Sequence, residues 1–252
     1  MKKVSIITPC FNAEKFILKT YSSLKNQSYS DWEWVITDDC STDNSTQIIR
    51  ELINSDERVK LTINDKNSGA AKSRNVSLEC ARGEYVAFLD VDDLWEPEKL
   101  TKQLAFMRIN NCDFSYHDYW TIDAKGVVLK EQNLAVKFTA KDLLKYNPFA
   151  TSSILISKSL IDSNNIRFKE HLRRRQDYFF WYDAISEAKT AFGLNEKLSR
   201  YRIFGEESLS SDKKKMAMIQ WGLYRDEFKF GLLKSAYYFI HYAIHGAKKY
   251  FF

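Results

Sequence analysis

The feature that most constrains this chain is a rhythm. Four short apolar runs fall within its first ninety or so residues, and each is followed by a segment of helix length. Val4-Ser5-Ile6-Ile7-Thr8 reads as a buried strand, and 32–37, 59–63 and 85–89 as three more. The intervening segments 13–26, 43–55, 68–81 and 97–110 carry helical spacing. In the first, Phe16, Ile17, Thr20 and Leu24 form the stripe, with Asn12 as the expected N-cap. Pro97 opens the last, where a missing N–H does no harm. Strands alternating with helices of this length predict βαβ units, hence an α/β fold around a mostly parallel central sheet flanked by helices. Past residue 111 the pattern is mixed: 113–120 and 152–157 read as strands, 139–146 and 176–188 as helices.

The strand ends carry the chemistry. The first runs into Pro9-Cys10-Phe11-Asn12, the second into Asp38-Asp39-Cys40-Ser41-Thr42-Asp43, and the fourth into Asp90-Val91-Asp92-Asp93. In an open parallel sheet these carboxyl ends share one edge, where ligands bind. Acids crowded there unpaired would repel and raise one another's pKa. A hard divalent cation, Mn²⁺ or Mg²⁺, relieves that repulsion. A single Asp after a strand is often only a helix cap, the role expected of Asp43. Adjacent acids ending the run Tyr85-Val86-Ala87-Phe88-Leu89 have no packing purpose, and a metal gives them one.

Taken in order, Val4 to Asn12, Asp38 to Asp43, Asn67-Ser68-Gly69-Ala70-Ala71-Lys72-Ser73-Arg74-Asn75 and Phe88-Leu89-Asp90-Val91-Asp92-Asp93 resemble the family 2 glycosyltransferases of GT-A fold, the nucleotide-diphospho-sugar transferase fold. The resemblance covers residues 1–110. It implies a nucleotide-sugar site formed by Thr8, Phe11, Asp38, Asp39, Asn67, Arg74, Asp90 and Arg202. Asp39 would accept the uracil imide hydrogen, with Asp38 as fallback. Thr8 and Phe11 would line the base pocket, unless Phe11 is a core aromatic. Arg74 would lie near the nucleotide, or else make a surface salt bridge. Asp90-Val91-Asp92 resembles the DxD motif, so Asp92 would ligate the metal and Asp90 the metal or ribose. Asp93 would support them or cap a helix.

The likeness continues more loosely in Gln176-Asp177-Tyr178-Phe179-Phe180-Trp181 and Tyr201-Arg202. It makes Asp177 the base that deprotonates the acceptor; its plainer role is to cap the following helix. Gln176 stands where the family often has Glu. One base plus one metal, without paired carboxylates, predicts inversion at the anomeric carbon. Phe204 stands where a family histidine is common, which leaves Arg202 for phosphate contact. Arg173, Arg174 and Arg175 read as a solvated turn or a phosphate site. His117 and Asp118 read as structural or as facing the acceptor.

Charge is distributed unevenly. Residues 213–252 hold eight Lys and Arg against two acids, a net +6, while the other 212 residues hold 30 against 31. A nucleic-acid binder would spread positive charge over a folded face. Here it sits in an aromatic tail in which Ala236, Tyr237, Ile240, Ala243, Ile244, Ala247 and Phe251 share one helical face, and Lys234, Tyr238, His241, His245, Lys248 and Lys249 another. Such a helical appendage suits a bilayer interface or packs on the body. The apolar stretch 236–247, interrupted by His241 and His245, falls short of the roughly 20 residues a span needs. No secretory signal is visible.

The expected protein is therefore an inverting, metal-dependent glycosyltransferase. It takes a UDP-sugar and a saccharide acceptor, possibly lipid-linked, in bacterial lipopolysaccharide, O-antigen or capsule synthesis. Residues 1–212 form the GT-A domain, with 1–110 the nucleotide-binding half and 111–212 the acceptor side. Residues 213–252 form a basic aromatic tail on the cytoplasmic face of the inner membrane, with no nucleic acid as partner. A nucleotidyltransferase would need a Gly-rich basic loop after the first strand, and Pro9-Cys10-Phe11-Asn12 is neither. A non-catalytic membrane- or RNA-associated module is the second rival.

Overall fold

The structure, a computed structural model, describes residues 3–204 and 213–251, with side chains in the second stretch given for 215–246. Residues 205–210, which follow Tyr201-Arg202 and Phe204, lie outside the described residues, as do Phe252 and the side chains of Lys213, Lys214, Ala247, Lys248, Lys249, Tyr250 and Phe251.

The four apolar runs form β1 (Val4–Cys10), β2 (Trp32–Asp38), β3 (Val59–Ile63) and β4 (Tyr85–Phe88), all mutually parallel in the order β3-β2-β1-β4. Their continuous apolar character follows from burial on both faces. Helices α1 (Ile17–Lys25), α2 (Ser45–Ser55) and α4 (Lys99–Asn110) place Leu24, Ile49, Leu52, Leu100 and Met107 in the core on one face. Helix α3 (Ala70–Cys80) covers the other face through Ala71 and Leu78.

The second half extends the sheet. The two-residue β5 (Leu94–Trp95), β6 (Phe114–Ile122), β7 (Val128–Gln132) and β8 (Lys137–Phe138) are followed by α5 (Ala140–Leu143), β9 (Leu155–Ser157), α6 (Lys158–Ser163), α7 (Gln176–Ala188) and β10 (Ala191–Arg202). The path continues β4-β9-β6-β10-β5. Strand β9 runs antiparallel between β4 and β6, after which β6 and β10 resume the direction of β1. Thr139 closes a capping box on α5 with Asp142. Helix α7 packs an aromatic cluster under the sheet. Phe88 meets Trp181 edge-on at 4.9 Å, and Phe168 stacks on Phe180 at 4.1 Å.

The chain closes with α8 (Lys213–Gly222), one π-helical turn (Leu223–Glu227) and α9 (Leu232–Phe251). Leu223 and Tyr224 are buried, and the Tyr224 hydroxyl donates to the Leu144 carbonyl at 2.5 Å.

Asn12 is not the cap of α1. The helix begins at Ile17, and Asn12 takes a left-handed φ of 49°. Its side-chain oxygen accepts from the Thr42 N–H at 2.8 Å, joining two strand-end loops instead. Asp43 does support a helix start, accepting from the Ser45 N–H at 2.9 Å.

Candidate active site

A cleft of about 440 Å³ opens at the carboxyl edge of β1, β2 and β4. Phe11, Asp39, Asp90 and Asp92 all line it. The remaining wall includes Ser73 of α3 and the aromatic pair Phe16 and Phe204, whose rings meet edge-on at 5.6 Å.

The two acids that end β2 do different work. Asp38 is fully buried and accepts from Ser41 N (2.9 Å), Ser41 Oγ (2.6 Å) and Thr46 Oγ1 (3.2 Å). It closes the turn after its own strand and does not line the cleft. Burial, and after it the Asp38 charge, pushes the neighbouring Cys10 thiol up to about 12, which leaves it a neutral wall residue. Asp39 lines the cleft and clamps the start of α3. Its Oδ1 accepts from Asn64 Nδ2 (2.7 Å) and Ser68 N (2.9 Å), and its Oδ2 from Gly69 N (2.7 Å). Gly69 holds a φ of 91°, open to glycine at little cost. Asn67 is exposed and outside the lining; Asn64 is the asparagine that touches Asp39.

The Asp90–Asp93 loop is fixed from four directions. Thr20 of α1 donates to the Val91 carbonyl (2.6 Å), and Ser152 Oγ accepts from Asp90 N (3.1 Å). Arg202 Nε donates to the Asp92 carbonyl (2.8 Å), and Arg74 Nη2 donates to Asp90 Oδ1 (2.6 Å). Asp93 is fully buried, accepting from Ser152 Oγ (2.5 Å) and Arg202 N (2.7 Å). It anchors the loop behind the cleft and caps no helix; Glu98 precedes α4. Burial, then the Asp90 charge, pushes the Asp92 carboxyl up to about 6. Burial, then Asp92 and Asp90, likewise raises Asp93. These carboxyls are pressed together without enough countercharge.

Among the described residues no three acid, His or Cys side chains converge as a metal-binding group. Asp90 and Asp92 are nonetheless a fitting donor set for Mg²⁺ or Mn²⁺ beside substrate phosphates. There one or two carboxylates suffice, and substrate phosphates and water fill the remaining positions.

Three other expected residues stand behind the cleft or beside it. Thr8 is fully buried, donating to the Leu89 carbonyl (2.7 Å) and accepting from Trp34 Nε1 (2.8 Å). It braces β1 against the start of the acidic loop. Arg202 is 5% exposed and also donates from Nη1 to the Asp123 (2.9 Å) and Ala124 (3.0 Å) carbonyls. Asp177 sits in the first turn of α7, half-buried and not among the lining residues. A bridge connects its helix to the site. With its amide oriented to satisfy both neighbours, Gln176 donates to the Leu172 carbonyl (2.8 Å) and accepts from Arg74 Nη1 (3.3 Å). Arg174 contacts Met216, and Arg175 takes a left-handed φ of 62°. His117 is fully buried, with Nδ1 2.7 Å from the Asp118 carbonyl oxygen, and Asp118 accepts from Leu134 N (2.7 Å). Neither lines the cleft.

Sequence reasoning gave Phe16 and Ser73 no site role, and marked Phe204 only as standing in the place of a family histidine; all three line the cleft. Phe16 reads as helix stripe, and its partner Phe204 lies at the far end of the domain. Only their meeting in space marks them.

A family model described as Glycosyl transferase family 2 matches residues 5–161. The chain is 38% identical over 247 residues to TuaG of Bacillus subtilis, which bears the name of a teichuronic acid biosynthesis glycosyltransferase; the match covers 98% of this chain and 96% of that one. It is 34% identical over 250 residues to the Escherichia coli UDP-Glc:alpha-D-GlcNAc-diphosphoundecaprenol beta-1,3-glucosyltransferase WfgD, covering 99% and 95%. Among solved structures, Staphylococcus aureus TarS 1-349 in complex with UDP-GlcNAc superposes with a TM-score of 0.73 at 24% identity, over 96% of this chain and 71% of that one, a likeness of fold.

Proposed function

Because the chain belongs to glycosyl transferase family 2, we propose that it transfers a hexose or N-acetylhexosamine from a UDP-sugar, with inversion, to a lipid-linked saccharide in bacterial surface-polysaccharide synthesis. The observation that carries this reading is the meeting of Phe11, Asp39, Asp90 and Asp92 in one cleft at the sheet's carboxyl edge.

The residues divide the labour. Asp39 has three protein donors on its two oxygens, and a carboxylate offers about four acceptor sites. One is left for the uracil imide, beside the half-exposed ring of Phe11 as a stacking surface. Thr8 and Asp38 shape the floor beneath, and Arg202 braces the acidic loop from behind through the Asp92 carbonyl. Mn²⁺ or Mg²⁺ held by Asp92 and Asp90 would neutralise charge growing on the departing diphosphate, so that no general acid is required. Arg74, paired to Asp90, holds that carboxylate in place.

In the transfer, the acceptor hydroxyl oxygen attacks the anomeric carbon, the bond from that carbon to the β-phosphate oxygen breaks, and UDP leaves. The hydroxyl proton passes to Asp177, our choice of base. A single displacement inverts the anomeric centre. The β linkage in the name of WfgD is what inversion of an α-linked UDP-glucose would produce, which supports the same stereochemistry here.

The test is UDP release with Mn²⁺ from UDP-Glc, UDP-Gal, UDP-GlcNAc and UDP-GalNAc, in the presence of a diphosphate-lipid-linked sugar. Turnover of at least one donor, lost on chelation, is expected. No turnover of any donor, or turnover unaffected by Asp92→Ala, would refute the assignment.

A further inference from the structure

Helix α9 carries an apolar face that the body does not cover. Leu233, Tyr237, Ile240 and Ile244, spaced i, i+4, i+7 and i+11, are 87%, 53%, 57% and 46% exposed, and Ala243 lies exposed beside them. The opposite face is fully engaged. Ser235 is completely buried, Tyr238 packs on Tyr224 and Phe230, and His245 stacks on Tyr146 at 4.1 Å. The Tyr242 oxygen accepts from Arg175 Nη2 at 3.0 Å. The helix is therefore fixed to the protein by one side, and its outward stripe is not an unfinished core contact.

Charge selects the occupant. Residues 228–252 contain Lys229, Lys234, Lys248 and Lys249 and no acid. A second copy docking stripe to stripe would bring like charges together, whereas an anionic surface would pair with them. No helix among the described residues is long and apolar enough to cross a membrane. A helix of this kind lies in the interface plane, with aliphatic side chains below the headgroups and Tyr at their level.

We propose that α9 docks this chain on an anionic lipid bilayer, inserting Leu233, Tyr237, Ile240 and Ile244. The inference deepens the reading of a lipid-linked acceptor and rests on it for its purpose: docking brings the cleft to the surface where such an acceptor lies. The Arg175–Tyr242 bond carries the attachment to the residue preceding α7, so the segment bearing Asp177 is held relative to the bilayer.

The experiment is flotation of the full chain with phosphatidylglycerol-containing vesicles and with pure phosphatidylcholine vesicles, at low and high salt. Light scattering, and UDP release with the diphosphate-lipid-linked sugar as acceptor, are measured on the same protein without vesicles. Wild type should float with the anionic vesicles and lose binding as salt rises. Leu233→Glu/Ile240→Glu should bind at least about tenfold more weakly, with unchanged oligomeric state and unchanged UDP release in the absence of vesicles. Tyr237→Ser/Ile244→Ser, which adds no charge, should weaken binding in the same direction and guards against a folding defect in the first variant. Wild-type flotation by both variants would overturn the proposal. So would absence of flotation by the wild type, or a wild-type dimer that the Glu variant splits without vesicle binding by either. A protein that floats yet releases no UDP from any donor sinks the transfer reading alone.

Discussion

Arg74 Nη2 lies 2.6 Å from Asp90 Oδ1, while Nη1 of the same guanidinium reaches Gln176. One side chain thus ties an acid of the cleft to the helix that begins beside Asp177. Arg74 is 6% exposed, so its charge is committed to this bridge.

Lysine keeps that charge but has no fork to reach both partners. Arg74→Lys should therefore fold and still bind donor, with kcat for transfer down on the order of 10²-fold through loss of positioning. Steady-state kinetics on UDP-sugar and acceptor check this. A wild-type kcat would show that the bridge is idle.

Asp92 should make metal and donor binding sensitive to pH. Burial and the Asp90 charge hold its carboxyl at about 6, so it is protonated below that value and metal affinity should fall as pH drops through it. Stability runs the other way. A carboxyl whose folded pKa lies above the unfolded value, about 3.9, loses stability as pH rises between the two. Asp92→Asn should raise the metal-free Tm at pH 7.5, with the gain vanishing near pH 4, while abolishing metal-dependent UDP release. Calorimetric melts at the two pH values separate these effects.

Asp177→Asn should retain UDP-sugar binding, measured by titration calorimetry, and lose transfer by about 10²–10⁴-fold, the usual contribution of a general base. A near-normal rate would mean that another group takes the proton.

Acid stability should depend on Asp56. Its carboxylate accepts from Arg58 Nε (2.9 Å) and Nη2 (2.7 Å) and from the Tyr21 hydroxyl (3.0 Å). The Arg58 hydrogen bonds chiefly hold it down at about 2. A depressed folded pKa contributes stability above the unfolded value, about 3.9, and that stability is lost as pH falls from there towards 2. Urea unfolding at pH 7 and pH 2.5 should show a smaller acid-induced loss in Asp56→Asn than in wild type.

The N-terminal strands were legible because burial on both faces makes them apolar from end to end. Strand β10 carries no clear strand signal in the sequence. Its Asn195-Glu196-Lys197 centre and its register shifts around Lys197 break the two-residue period. The antiparallel insertion of β9 was equally hidden, since nothing local to Leu155–Ser157 says which strands it will join. Within the site, the crowded acids announced themselves by charge. What their neighbours do depends on tertiary contacts: Thr8 spends its hydroxyl on Leu89, Arg202 its N–H groups on three carbonyls, and Asn64, which no motif marks, holds Asp39.

The central claim is that Asp39, Asp92 and Asp177 serve one bound UDP-sugar, and a crystal structure with UDP and Mn²⁺ tests it most directly. The account predicts uracil between Phe11 and Asp39, and the ion ligated directly by an Asp92 oxygen. It also predicts that the β-phosphate faces the side of the cleft from which Asp177 can reach an acceptor. UDP bound away from Asp39, or an ion that leaves Asp92 uncoordinated, would contradict it.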